Sequence, residues 1–215
     1  MQNLVKEPIP NSAKRVLASR EGLRPGELKQ LWRLETGAVR IDSAPPGAPT
    51  RFVRLALPGD VIGVEQWAGT DESLTVRALV PTCLTPLDSQ GHQVMQILME
   101  SVVTTHQRCG EVVSLRTGTV PQRVKRLLLM LAPEGPDVAG QTTECPLPNL
   151  NDMSDVLDAA IETVSRVLAS MRRNDYLQER KPQRARFSSQ VLREIEMVVG
   201  MSNSATSQRV VRSLG

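Results

Sequence analysis

Between residues 152 and 171, the apolar positions have the spacing of two short helices joined by a tight turn. The second helix has apolar residues along one side, at Val164, Val167, Leu168 and Met171. Such a stripe predicts a helix that is buried along one face. Polar side chains fall together on the opposite side, at Glu162, Ser165, Arg166 and Arg173.

The ends of the two helices have matching signals. Asn149, with Asp152 three residues later, predicts an N-cap and the start of a capping box. Asp158 and Ala159 stand where the turn should bend, and Asp tolerates the left-handed backbone conformation better than most residues. We interpret the segment as a helix-turn-helix. The alternative, an ordinary amphipathic helix pair whose polar face meets water, stays open.

The polar face of the second helix has the chemistry needed to recognise bases. In the major groove, Arg pairs with guanine, Glu accepts from the cytosine amino group, and Ser bonds with several bases. The candidate DNA contacts on this helix are Glu162, Thr163, Ser165, Arg166 and Arg173. Basic residues continue downstream, and among them Arg184 and Arg186 predict a wing that faces phosphates.

Upstream, short runs of strand-like residues alternate with turns and predict an antiparallel β domain over about residues 30 to 88. The predicted strands lie in LWRLETGAVRI, TRFVRLAL, VIGV and SLTVRAL, and the turns in APPGAP and PGD. The first 30 residues look helical and polar, and Pro8, Pro10 and Pro25 break them into short pieces.

Residues 93–116 have the period of one long helix. Its apolar and small residues recur at alternating steps of three and four, at Met95, Leu98, Val102, Thr105, Cys109 and Val112. A period of about 3.5 residues is typical of two helices packed along each other. We therefore predict a dimer seam at Leu98, Val102, Thr105, Cys109 and Val112. The alternative is a helix packed on its own β domain.

Composition limits the partners. The chain has 215 residues, of which 40% are hydrophobic, enough for one large or two small domains. A net charge of +3 is too small for a general polyanion binder, so the basic residues matter through their clustering near the C-terminus. Two Trp, one Tyr and two Phe give no stacking platform for single strands. Duplex DNA is therefore favoured.

Cysteine and histidine are too sparse for a metal or catalytic site. Cys83, Cys109 and Cys145 are odd in number and far apart, so we expect reduced thiols. Neither His92 nor His106 has a partner at informative spacing, and no enzyme is predicted. The N-terminus shows no signal peptide and no apolar run reaches the ~18 residues of a membrane span, so we expect a cytoplasmic protein with no membrane partner.

The order of a β domain, a long helix, a short helix and a winged helix-turn-helix resembles the Crp/Fnr family of bacterial transcription regulators. The resemblance covers about residues 28 to 187: LETGAVRI resembles a strand of the family's β-roll, LPGDVIG the turn before its effector pocket, and IETVSRVL its recognition helix. The pattern of Glu162, Ser165 and Arg166 resembles the Fnr branch, while Ile161 replaces an arginine typical of the branch that responds to cyclic AMP.

The resemblance implies an α+β protein in three parts. Residues 1–92 would form an antiparallel β-roll similar to a cyclic-nucleotide-binding domain, with an N-terminal helical segment. Residues 93–116 would form the dimerisation helix, and residues 117–215 the winged helix-turn-helix with a C-terminal helix and tail.

The resemblance also bears on the effector, which the sequence leaves unknown. Where cyclic-nucleotide-binding members have Gly-Glu and Arg-Ser pairs, this chain has Gly63-Val64 and Glu72-Ser73. Glu72 would repel a phosphate, so cyclic AMP binding is not expected. An anionic metabolite, a thiol signal at Cys109 and no effector at all remain open. The candidate pocket residues are Gly63, Val64, Arg77 and Arg108.

No cofactor is predicted, because three cysteines cannot hold the four-cysteine iron-sulfur cluster of the oxygen-sensing members. The resemblance predicts a homodimer bound to an inverted-repeat operator with half-sites similar to TTGAT. RNA polymerase would be a further partner of an activator. The alternative function is a ligand-sensing module whose helix-turn-helix contacts a protein rather than DNA.

Overall fold

The computed structural model describes residues 13–67, 73–87, 93–133, 142–181 and 183–195. Its strands are β1 (Arg15–Leu17), β2 (Trp32–Ser43), β3 (Arg51–Ala56), β4 (Val61–Ile62), β5 (Leu74–Pro86), β6 (Thr143–Pro146), β7 (Gln178–Lys181) and β8 (Arg184–Phe187). Its helices are α1 (Val64–Trp67), α2 (Gln93–Arg116), α3 (Val120–Leu131), α4 (Leu150–Leu157), α5 (Ile161–Arg173) and α6 (Ser189–Glu194), with one 3-10 turn at Glu27–Lys29. The predicted α+β class is confirmed.

The N-terminal domain is built on an antiparallel sheet with the strand order β1-β5-β2-β3, in which β4 also pairs with β2. The β2–β5 ladder shifts register beside Gly37, which has a φ of +91°. A Cβ at this glycine would lie 2.3 Å from the carbonyl oxygen of Pro81. Because Pro81 has no N–H to give to the ladder, the irregularity sits where pairing is already interrupted.

The prediction of a helical N-terminal segment is wrong for Arg15–Leu17. These residues form β1, which pairs with β5 through Val16 and Cys83. Leu17 is fully buried, so pairing at the sheet edge and burial of this side chain outweigh the local sequence preference. Residues 1–12, with Pro8 and Pro10, lie outside the described part of the chain.

Apolar residues cover both faces of this sheet. One face contributes to a core of the sheet domain alone, which includes Leu17, Trp32, Leu34, Ile41, Ile62 and Leu84. The other face, through Phe52, Leu55 and Leu79, belongs to the same core as Leu115 of α2 and the apolar residues of α3, α4 and α5. The sheet domain and the C-terminal helices are therefore packed together.

Helix α2 spans the residues predicted for the long helix, and the shorter α3 follows it. Gly118, with a φ of +86°, separates α2 from α3. At the start of α3, the Gln122 side chain accepts a hydrogen bond from the Thr119 amide at 3.0 Å, and Pro121 lies in the first turn.

Within the described residues, no helix has both the length and the apolar composition needed to span a membrane.

The C-terminal domain combines helices with a second, three-stranded antiparallel sheet in the order β6-β8-β7. Helix α6 is capped by the Ser188 side chain, which accepts a hydrogen bond from the Val191 amide. The strands β7 and β8 form the hairpin that the sequence predicted as a wing.

Candidate nucleic-acid interface

Helices α4 and α5 form a helix-turn-helix. The Asn149 side chain caps α4 by accepting a hydrogen bond from the Asn151 amide at 2.8 Å. Asp158 ends α4 in the left-handed conformation, with φ 49° and ψ 58°, as the sequence predicted for the turn. The Ser154 hydroxyl donates to the Ala159 carbonyl and fixes the turn from inside.

Helix α5 has one buried and one exposed face, as predicted. Its buried residues are Val164, Val167, Leu168 and Met171. The predicted DNA contacts Glu162, Ser165, Arg166 and Arg173 are all exposed, and Thr163 is half-buried. Arg166 Nε donates to the Glu162 carbonyl at 3.2 Å, one turn back along the helix. Ile161, at the start of α5, is also exposed.

An open cleft of about 480 Å³ lies beside this exposed face. Its walls come from the start of α4, from α5 and from the wing turn, and they include Asn149, Asn151, Ile161, Ser165, Arg172 and Gln183. Three parts of the domain thus surround one concave surface. Amide, hydroxyl and guanidinium groups on such a surface are the groups that proteins use to contact the DNA backbone.

The two wing arginines lie near a carboxylate. Arg184 Nη1 is 3.1 Å from Glu144 Oε1, and Arg186 Nη2 is 3.9 Å from Glu144 Oε2. Glu144 lies on β6, directly opposite Arg186 in the β6–β8 ladder. The wing is therefore less positive than its arginines alone suggest.

Helix α2 has an exposed apolar face, which we call the α2 stripe: Met95, Met99, Val102, Val103 and Val113. Val102 is 62% exposed, and Cys109 is exposed on the same side. The other residues of the predicted seam, Leu98, Thr105 and Val112, are half-buried, and Val112 packs against the shared core. The stripe is thus rotated from the predicted seam, because the side of α2 that carries Leu98, Thr105 and Val112 faces the chain itself.

The two arginines predicted to hold an anionic effector are both paired within the chain. Arg108, on α2, makes two hydrogen bonds to the buried Asp60, at 2.7 and 3.0 Å, and also contacts Glu111. The pKa of Arg108 is raised: burial opposes the charge, but the bonds to Asp60 and Glu111 outweigh it. Arg77 Nη2 donates to Asp152 Oδ1 at 2.6 Å. Both side chains therefore hold parts of this chain together.

The other predicted pocket residues shape a turn. Gly63 has a φ of +96°, and a Cβ there would lie 2.5 Å from the Gln30 carbonyl oxygen. The glycine is required by this close approach between the end of β4 and the segment that precedes β2. Val64 begins the short helix α1, and Glu72 lies outside the described residues.

A group of charges between the sheet and α4 was not predicted from the sequence. We call it the Asp152 cluster: Arg40, Asp42 and Asp152, which are buried, Arg77, which is partly exposed, and Asp155, which is exposed. Arg40 donates to Asp42 at 2.7 Å, to Asp155 at 3.0 Å and to Asp152 at 3.3 Å. Burial lowers the pKa of Arg40, but its bonds to Asp42 and Asp155 raise it above the ordinary value. The predicted capping-box role of Asp152 is replaced by these contacts. A hint was present in β2, where Arg40 and Asp42 interrupt an apolar strand.

The three cysteines differ in environment: Cys109 is exposed, Cys83 is half-buried and Cys145 is buried. Burial, with a smaller effect of Glu144, raises the pKa of the Cys145 thiol to about 12. His106 is exposed, and His92 lies outside the described residues. Among the residues that the structure describes, no group of three His, Cys, Asp or Glu side chains is placed to hold a metal ion.

Comparison with known proteins places this architecture. No family model matches the chain. The transcriptional regulator LdrP of Thermus thermophilus is 28% identical over 154 residues, which cover 70% of this chain and 79% of LdrP. A solved structure of a CRP-family transcriptional regulator, also from Thermus thermophilus, has a TM-score of 0.63 at 24% identity, covering 83% of this chain and 94% of its own. FixK2 from Bradyrhizobium japonicum has a TM-score of 0.62 at 21% identity, covering 89% and 100%.

The described part of the chain joins an antiparallel sheet domain, a long helix and a winged helix-turn-helix. The chain has the fold of the Crp/Fnr family of transcription regulators, and the resemblance seen in the sequence is confirmed.

Proposed function

We propose that this protein is a transcription regulator that binds duplex DNA as a homodimer and recognises an inverted repeat. The observation that supports it most strongly is the face of α5, where Glu162, Ser165 and Arg166 are exposed together on a helix whose other side is buried. Exposed glutamate, serine and arginine match the donors and acceptors of base edges in the major groove.

The α2 stripe supports the homodimer. Large apolar side chains exposed in a row along a helix favour a partner helix, and a second copy of the chain supplies an identical stripe. Burying each of these side chains stabilises a dimer by about 1.5 to 3 kcal/mol. Two recognition helices related by the dimer axis would face half-sites about one helical turn apart, ~10 bp between centres.

The wing and the cleft beside α5 support contacts to the DNA backbone. Arg184 and Arg186 would neutralise phosphates on either side of the base contacts, and the Asn149 end of α4 would approach the adjoining backbone. We place the protein in the cytoplasm, and RNA polymerase would be a further partner if it activates transcription.

Selection from a pool of random duplexes tests the proposal. We expect the wild type to enrich a motif with two-fold symmetry, and the Arg166→Ala variant to lose preference at one G·C pair of each half-site. A motif without two-fold symmetry would contradict the homodimer. No enrichment at all would favour a helix-turn-helix that contacts another protein.

A further inference from the structure

The Asp152 cluster joins the sheet domain to the first helix of the helix-turn-helix. Asp152, on α4, is only 2% exposed, and Arg40, on β2, is 4% exposed. Asp152 Oδ1 accepts hydrogen bonds from Arg77 of β5 and from Arg40. Arg20 approaches the other oxygen, with Nε 3.9 Å from Oδ2. One carboxylate of α4 thus faces three arginines of the sheet domain.

The arrangement is specific because Arg40 and Arg77 are direct partners across the β2–β5 ladder. Two like charges opposite each other destabilise a sheet unless an anion lies between them. The anion that bonds to both arginines comes from α4, 75 residues away from Arg77 along the chain, while Arg40 also bonds to Asp42 of its own strand. Charges buried between two domains add little stability compared with apolar packing, and in some proteins such charges select one arrangement of the parts that they join.

Further hydrogen bonds fix the end of α4 that leads into α5. Arg116, at the end of α2, donates to the Asp155 carbonyl at 3.2 Å. Arg123, on α3, donates to the carbonyls of Leu157 and Asp158 at 3.1 and 3.2 Å. Helix α4 is therefore attached to the sheet, to the end of α2 and to α3. Helix α5 begins soon after α4 ends at Leu157.

We propose that Asp152 is a positioning residue for DNA binding: through Arg40 and Arg77 it fixes the orientation of the recognition helix relative to its own sheet domain and α2, and so sets the half-site separation that the dimer accepts. The inference rests on the proposed function, since it concerns the geometry of the same interface. Asp152 itself is buried, and we expect it to make no contact with DNA.

The test compares the full-length wild type with Asp152→Asn, Arg77→Gln and the control Arg51→Gln. Arg51 is an exposed arginine of the same sheet, on β3. Each protein is titrated with duplexes that share the selected half-sites but differ by one base pair at a time in their separation. Helical content and thermal unfolding establish that each variant is folded.

We expect the wild type and Arg51→Gln to prefer one separation. Asp152→Asn and Arg77→Gln should keep the same half-site sequence preference, while the affinity ratio between the best and the next separation falls about fivefold or more, as for a typical coupling between sites. If Asp152→Asn does not fold, Arg77→Gln decides the matter, because the Arg77 side chain is 28% exposed and that of Asp152 only 3%, so we expect the change at Arg77 to disturb folding less.

Folded variants with the separation preference of the wild type would overturn the positioning role. So would an equal loss of affinity at every separation, since a merely structural role weakens binding without changing its geometry. A wild type that binds no duplex, or one without two-fold symmetry, would instead overturn the proposed function itself.

Discussion

Two arginines of the sheet domain, Arg40 and Arg77, have surroundings opposite to those of Arg166 in α5. In the sheet domain, Arg40 is buried, Arg77 is largely so, and both bond to carboxylates of the same chain. In α5, Arg166 is exposed, and its Nε bonds to a backbone carbonyl of its own helix. An arginine already paired with carboxylates has little to offer a phosphate or a base, whereas an exposed one on a firmly packed helix can bind either.

Residues of the sheet domain position the interface, whereas residues of α5 form it. The sheet domain contributes paired charges that hold α4, and α5 contributes exposed side chains whose own helix is fixed by buried apolar residues. Changes in the first group should alter geometry, and changes in the second should alter sequence preference.

The largest effect is expected from Val102→Glu, which should disrupt the dimer. The positioning residues of the sheet domain and the exposed residues of α5 both depend on that dimer. Two Val102 side chains, one from each copy, would lose burial worth about 3 to 6 kcal/mol in total, a factor of roughly 10² to 10⁴ in the dimer dissociation constant. Light scattering should show monomers, and binding to the inverted repeat should weaken accordingly.

Gln107→Glu is the matched control, because it adds the same charge at an exposed position of α2 outside the stripe. It should stay dimeric. A monomeric wild type at micromolar concentration would reject the dimer, and a dimeric Val102→Glu would move the interface elsewhere.

A smaller effect is expected from Arg166→Ala, which removes a base contact and leaves the dimer intact. The loss should be about 1 to 3 kcal/mol per half-site and should be largest for duplexes that keep the G·C pair. Arg184→Ala should instead weaken all sequences alike and lower the salt dependence of binding. If G·C preference survives in Arg166→Ala, the assignment of Arg166 to guanine is wrong.

Glu144→Gln should have a still smaller effect, in the opposite direction. Without this carboxylate, Arg184 and Arg186 are freed for phosphates, so binding should tighten by no more than about 1 kcal/mol and become more dependent on salt. Titrations at two or more salt concentrations measure both changes. Weaker binding by this variant would show that Glu144 supports the wing rather than shielding it.

The smallest effect is expected in the rates at which the cysteines are labelled, since Cys109 is exposed and Cys145 is buried. Burial raises the pKa of the Cys145 thiol to about 12, so its reactive thiolate form is scarce near neutral pH. A maleimide should therefore label Cys145 slowly in both the wild type and Val102→Glu. Cys109 should be labelled faster in Val102→Glu, where no partner helix covers it. Equal rates at Cys109 in the two proteins would argue against the α2 stripe as the interface.

The sequence was sufficient for those parts of the fold that depend on local spacing. The buried stripe of α5, the cap at Asn149 and the left-handed Asp158 are all set within a few residues, so period and residue type predicted them. The strand β1 was missed because its pairing with β5 joins residues far apart in sequence.

The roles of charged residues were harder to predict than the elements that contain them. The sequence predicts an effector pocket at Arg77 and a capping box at Asp152; in the structure the two side chains are hydrogen-bonded to each other, and Asp152 also bonds to Arg40. Nothing local to either residue indicates this pairing, because it depends on the β2–β5 register and on how α4 packs against the sheet. The α2 stripe likewise could not be separated from the buried side of α2 until the structure fixed which side meets the chain's own core.

Hydroxyl-radical footprinting of the wild-type protein on its selected duplex tests the central claim most directly, because it locates the protein on DNA. We expect two protected patches on the duplex, related by a two-fold axis and with centres about one helical turn, ~10 bp, apart. A single protected patch, or two patches without two-fold symmetry, would contradict a homodimer that presents two α5 helices to an inverted repeat.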